Sequence, residues 1–175
     1  MIEKRKSGRW NVVLCGSMMM ALISAPVFIC AGLFVVTITE SLGISRTTFS
    51  VVSTFCTLGG LIAAAFAGKC FKEIGLRKTV IYSSIIISAA YFAYSMCSTI
   101  SQLVICSFFI GGSTILDGSL PVTLIINSCF DGKNKGRALG IALGGSSIGS
   151  FIMSPVITFI NNTYNWRISY RILAL

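Results

Sequence analysis

Histidine is absent from the 175 residues, proline occurs three times, and aspartate and glutamate together occur five times. Without histidine the commonest general base and metal ligand is missing, and so few acids, set far apart, build no paired-carboxylate site. The seven cysteines (Cys15, Cys30, Cys56, Cys70, Cys97, Cys106 and Cys129) stand singly with no Cys-x-x-Cys, which indicates neither a disulfide framework nor a zinc site. No metal and no cofactor is called for, and the chain reads as a non-enzyme. Charge is scarce as well. Only 11% of residues are Asp, Glu, Lys or Arg, against about 25% in soluble domains, so a water-soluble core of this composition is excluded.

Apolar residues are what the chain has in excess, at 54% of the total with a mean hydropathy of +0.86. They fall into uninterrupted stretches of about the 20 residues that cross a bilayer, divided by short charged islands. The sequence predicts an all-α membrane protein with spans over residues 10–39, 49–67, 79–97, 102–130 and 138–160, and the start of a sixth over 166–175. Residues 1–9 form a basic N-terminal segment. Pro26 near the middle of the first run predicts a tilt or kink, and Ser45-Arg46-Thr47-Thr48 offers a cap for the second. The short linker Ser98 to Ser101 makes spans three and four antiparallel neighbours.

The 14 basic residues give a net charge of +9, yet they flank the apolar runs rather than gather on one surface, so they read as topology determinants and no nucleic-acid partner is expected. With the N-terminus in the cytoplasm, Lys4, Arg5, Lys6, Arg9, Lys69, Lys72, Arg77, Lys78, Lys133, Lys135 and Arg137 lie inside, and only Arg46, Arg167 and Arg171 outside. That asymmetry predicts a multi-pass protein of a cell inner (cytoplasmic) membrane, its N-terminus cytoplasmic.

Between spans two and three lies Gly68-Lys-Cys-Phe-Lys72-Glu73-Ile-Gly75-Leu-Arg77-Lys78. Two glycines and a basic pair suit a tight turn joining two helices. The loop resembles the inter-helix motif of the major facilitator superfamily, Gly-x-x-x-Asp-Arg-x-Gly-x-Arg/Lys. Lys72 stands where the motif has its acid and Glu73 where it has its arginine. The resemblance extends from about Arg9 to the C-terminus. Span four, with Gly111, Gly112 and Pro121, leads through Phe130 and a basic loop to Ala138-Leu-Gly140-Ile-Ala-Leu-Gly144, and the joint Tyr164-Asn165-Trp166-Arg167 opens the sixth span. In order and spacing this is similar to the monocarboxylate and oxalate/formate antiporter branch. The resemblance implies the N-terminal helical bundle of a transporter that moves a small solute, an organic anion with a coupled proton or an exchanged anion, by alternating access. It further implies that this chain is partial and that a C-terminal bundle is its missing partner. The alternative is a small, non-transporting membrane protein acting as a helix-bundle partner or assembly factor.

Asp117 is the outstanding candidate residue. It lies near the middle of span four, where a carboxylate costs about 2.5 to 3.5 kcal/mol on insertion scales. Either it serves a proton or substrate pathway at a water-filled cavity, or it is an acid hydrogen-bonded to Ser or Thr on an adjacent helix. Arg171 either faces the same cavity, where a guanidinium could clamp a carboxylate, or snorkels to the interface. In span five, Gly140 with Gly144 and Gly145 with Gly149 form two small-xxx-small pairs, predicted to let a neighbouring helix approach closely. Asn161-Asn162-Thr163 fits a glycosylation sequon.

Overall fold

A computed structural model describes residues 2–28, 30–130, 132–163 and 166–174, and their side chains except those of 2–9, 25, 28, 30, 31, 33, 42, 133 and 162. The basic side chains of Lys4, Arg5, Lys6, Arg9 and Lys133, together with Tyr164 and Asn165, therefore lie outside the described residues. Every described element is helical: α1 (Ile2–Phe28), α2 (Cys30–Leu42), α3 (Arg46–Cys70), a π-turn Phe71–Gly75, α4 (Leu76–Met96), α5 (Ile100–Thr114), a π-turn Ile115–Ser119, α6 (Leu120–Cys129), α7 (Lys133–Thr163) and α8 (Trp166–Leu173). Among the described residues, three helical stretches are long and apolar enough to cross a bilayer: Arg46–Met96, Ile100–Cys129 and Asn134–Asn161. The first of these holds two helices, because the backbone reverses at Gly75.

The boundaries have local causes. Pro26 sits in the last turn of α1, where its missing N–H leaves the Leu22 carbonyl without a helical partner. The Ser45 hydroxyl accepts from the Thr48 N–H at 3.1 Å and caps α3. At the start of α5, Gln102 Oε1 accepts from the N–H groups of Ser98 and Thr99 at 3.0 and 3.3 Å, which holds the 97–99 turn tight against the antiparallel pair α4 and α5. Gly75 has φ +91°, a backbone that side-chain-bearing residues rarely adopt. Gly68, by contrast, lies inside α3 with open space beside it. The expected two-glycine turn is thus made by Gly75 alone, since the helix runs past Gly68 and its π-turn carries the chain on to the reversal.

α1 lies along α7 and α3 along α5, while α4 packs on both α5 and α8. Two apolar clusters fill the interior. One, at the end of the bundle that holds turns 43–45 and 97–99, joins Phe34, Ile38, Phe49, Tyr91, Tyr94, Leu103, Trp166 and Tyr170. The other joins Val13, Met20, Val122, Ile126, Phe130 and Ala138 towards the opposite end. The outside is apolar as well: Leu22, Leu61, Phe66, Ile85 and Phe159 are exposed, and Phe151 is 83% exposed. Water would not tolerate such a continuous belt, whereas acyl chains solvate it.

Backbone contact at glycine sets the two long helix pairs. A Cβ on Gly59 would overlap the Phe108 carbonyl, and one on Gly111 the Cys56 carbonyl, so α3 and α5 meet main chain to main chain. A Cβ on Gly145 would overlap the Ser17 carbonyl, and one on Gly149 would come within 2.6 Å of the Ala21 Cα, which joins α7 to α1 in the same way. The other predicted pair behaves differently. Gly140 and Gly144 have nothing within 4 Å of a built Cβ. One residue of helix is a rotation of about 100°, so when Gly145 and Gly149 face α1, Gly144 and Gly140 turn away from it. Of the two, only the Gly145 and Gly149 pair meets a neighbouring helix within the described bundle.

Candidate functional site

Asp117 occupies the π-turn Ile115–Ser119 and is 1% exposed. In such a turn the backbone bonds i to i+5, and Pro121, two residues into the helix beyond, supplies no N–H at all. Together they leave main-chain carbonyls in this stretch without their ordinary α-helical donors. Around the turn stand α1, α3, α4, α5 and α6. Ser84 of α4 donates from its hydroxyl to Asp117 Oδ2 at 2.8 Å, and the same hydroxyl lies 3.0 Å from the Val80 carbonyl. Asp117 Oδ1 has no hydrogen-bond partner among the described residues. On the α1 side the fit is close, since a Cβ added to Gly118 would stand 2.9 Å from the Ser24 hydroxyl. Ser24 is itself buried, and its hydroxyl donates to the Met20 sulfur at 3.7 Å. A carboxylate with one oxygen held and one unheld, among buried hydroxyls and within apolar walls, is costly in place and able to exchange a proton or a hydrogen-bonding ligand.

Arg171 is not brought to this carboxyl group. It is exposed near the end of α8, which packs on α4, α7 and α2. Tyr170, one residue earlier, turns inward against Tyr94 of α4, and Tyr94 lies about 15 Å along α4 from Ser84 at 1.5 Å per residue. Arg171 stands at the surface of the described bundle, apart from the Asp117 turn.

The motif loop and the sixth helix are anchored by other bonds. Lys69 and Glu73 approach to 4.0 Å with both side chains largely exposed, a contact worth little in water. Lys72, Arg77 and Lys78 are exposed beside it, and the Thr79 hydroxyl donates to the Gly75 carbonyl at 3.0 Å, closing the turn onto α4. At the other end Trp166 Nε1 donates to Ser41 Oγ at 2.9 Å, Arg167 donates to the Ser95 carbonyl at 3.0 Å, and the Arg167 guanidinium lies 4.7 Å from the centre of the Trp166 ring. Asn161 Oδ1 accepts from Ser169 at 2.6 Å within the same anchor, so the sequon asparagine belongs to α7 and not to a loop.

A cavity of about 280 Å³ opens between α1, α3, α4, α5 and α8, lined by Pro26, Phe49, Ser53, Cys56, Thr57, Tyr91, Tyr94, Ser107 and Tyr170 among others. Reading along the chain does not reveal it, because its walls come from positions as far apart as 26 and 170.

The sequence pattern of the Major Facilitator Superfamily matches residues 10–175, almost the whole chain. The chain belongs to the major facilitator superfamily. Among curated relatives in the superfamily's company, it is similar to Monocarboxylate transporter 1 of Homo sapiens, 28% identical over 137 residues, which cover 75% of this chain and 27% of that protein. It is also similar to Sugar transporter ERD6-like 1 of Arabidopsis thaliana, 29% identical over 133 residues covering 74% and 27%. The MFS-type transporter pynF of Aspergillus niger is 28% identical over 100 residues, 57% and 22% of the two chains. The chain thus spans about a quarter of the length of these relatives. Its all-α, apolar-surfaced bundle is the N-terminal bundle of a superfamily member, and it is a multi-pass membrane protein.

Proposed function

We propose that this bundle is one half of a secondary transporter that moves a small solute across a membrane by alternating access against a second bundle of helices. The observation that carries the reading is Asp117: a carboxyl group buried at mid-span in a superfamily member, one oxygen held by Ser84 and the other without a partner. We assign it to the coupled proton. Main-chain contact at Gly59 and Gly111, and at Gly145 and Gly149, makes the half rigid enough to rock as a body. The open glycine face at Gly140 and Gly144 is where a helix of the second bundle would slide. An organic anion is the substrate class suggested by relatives named for monocarboxylates. Among the described residues Asp117 forms no ion pair and the cavity lining holds no basic side chain, so the anion's charge would be met from the second bundle. Arg171 remains available at the interface. The N-terminus is assigned to the cytoplasm of a cell inner membrane, supported by Lys69, Lys72, Arg77, Lys78, Lys135 and Arg137 on the joints at one end.

The test is uptake into vesicles holding this bundle together with its second bundle. Asp117→Asn should abolish proton-driven accumulation while solute exchange continues. Accumulation driven as well by the variant as by the parent would overturn the assignment. The open Gly140 and Gly144 face also favours a second reading, a non-transporting bundle that docks another membrane protein there. Stable membrane accumulation of the 175-residue chain bound to an unrelated protein through that face would support it over transport.

A further inference from the structure

We propose that the cavity between α1, α3, α4, α5 and α8 is a binding site for an uncharged aromatic molecule that carries a hydroxyl group. Its volume of about 280 Å³ approaches the lower end of ligand pockets, roughly 300 Å³, which suits a bicyclic molecule more than a large one. The walls persist for structural reasons. Tyr170 is held between Phe34 and Tyr94, with ring centroids 4.4 and 4.6 Å away, so it cannot swing in to fill the space. Pro26 deprives α1 of a helical hydrogen bond on the opposite wall.

The lining selects by chemistry. Among the described residues it contains no Asp, Glu, Lys or Arg, so a charged ligand would lose its hydration and gain no counter-ion. The Tyr91, Tyr94 and Phe49 rings present faces and edges on which a planar ring stacks. Ser53 and Thr57 are exposed at the mouth. Thr57 already donates to the Ser53 carbonyl at 3.0 Å, which leaves its oxygen as an acceptor for a ligand hydroxyl. A polyol would have to exchange the water on all its hydroxyls for the few polar groups of the wall, such as Ser53, Thr57 and Ser107, with its remaining hydroxyls set against ring faces and aliphatic groups. The site is distinct from the Asp117 turn, and binding to it requires no second bundle, so failure of the transport reading leaves it standing.

Cys56 lines the cavity and is partly exposed, which supplies a reporter. In proteoliposomes of the full chain with the other six cysteines changed to alanine, the rate of N-ethylmaleimide labelling at Cys56 is measured with 2-naphthol, 2-naphthoate, naphthalene or glucose present. 2-Naphthol should slow labelling by roughly fivefold over naphthalene, the value of about one net hydrogen bond, with 2-naphthoate and glucose leaving the rate unchanged. Ile110→Trp, which fills the cavity, should remove the 2-naphthol effect. Radiolabelled 2-naphthol binding to the unmodified chain, with and without Ile110→Trp, gives the same answer should the cysteine-depleted chain fail to fold. Equal protection by naphthalene or 2-naphthoate, protection by glucose alone, or binding insensitive to Ile110→Trp would each overturn the proposal.

Discussion

Gly144 and Gly145 are adjacent residues of one helix, and alanine at each should move stability in opposite directions. Both substitutions gain about 1 kcal/mol of helix propensity. At Gly144 the new methyl meets nothing within 4 Å, so the gain survives. At Gly145 it runs into the Ser17 carbonyl and stands 2.5 Å from the Ser17 hydroxyl. The hydroxyl can rotate away, but the carbonyl is main chain, and α1 must shift. Overpacking of this kind costs about 1 to 3 kcal/mol, and a gap of about 0.5–1 Å forfeits a quarter to a half of each dispersion contact along the seam. Gly145→Ala should therefore be about 1 to 3 kcal/mol less stable than Gly144→Ala, the latter being slightly more stable than the parent. Reversible unfolding in mixed micelles, followed by far-ultraviolet circular dichroism, measures the difference. Two variants that shift equally would refute the claim that α7 meets α1 through Gly145 alone of the two.

Three more outcomes follow from the same geometry. Ser84→Ala should cost about 1 to 3 kcal/mol by stripping the donor from a buried carboxyl, and should cost much less in an Asp117→Ala background, a coupling that a double-mutant cycle reads directly; additive losses would refute the pairing. Gly75→Ala should destabilise by about 1 to 3 kcal/mol because of its positive φ, whereas Gly68→Ala should be neutral or mildly stabilising, as thermal unfolding of the two variants would show. Trp166→Phe loses the bond to Ser41 and part of a fully buried ring system, so it should cost about 2 to 3 kcal/mol and speed proteolytic cleavage within α8; unchanged cleavage would mean the indole does not anchor that helix.

The all-α architecture was legible because a bilayer allows little else: apolar runs of sufficient length, a serine before Arg46, and a linker too short for anything but reversal. Asp117 stood out for its depth alone, and its bond to Ser84 is one of the two alternatives its sequence environment left open. The choice between glycine pairs was not legible, for Gly140 with Gly144 and Gly145 with Gly149 have identical spacing, and only the rotation of α7 against α1 separates them. Gly59 and Gly111 lie in different spans, so their reciprocal contact has no signature along the chain. Arg171 drew notice because charge is conspicuous in an apolar sequence, yet its neighbour Tyr170 is the buried one. Periodicity also could not show where two turns become π, since each departs from α-helix over only five residues.

The π-turn beneath Asp117 means that the aim of this side chain is encoded by a count. Over Ile115–Ser119 the chain spends more residues on a turn than an α-helix would. A one-codon deletion there would remove the extra residue and let the turn relax to ordinary helix, with the helix beyond keeping its phase. Val122 and Ile126 would then stay on the face they share with Val13 and Met20, and only the residues of the turn itself, Asp117 among them, would be re-aimed. In this gene a lost triplet within that stretch should harm folding less than one in the regular helix on either side, where it would rotate everything beyond by about 100°, while still leaving the carboxyl group misdirected.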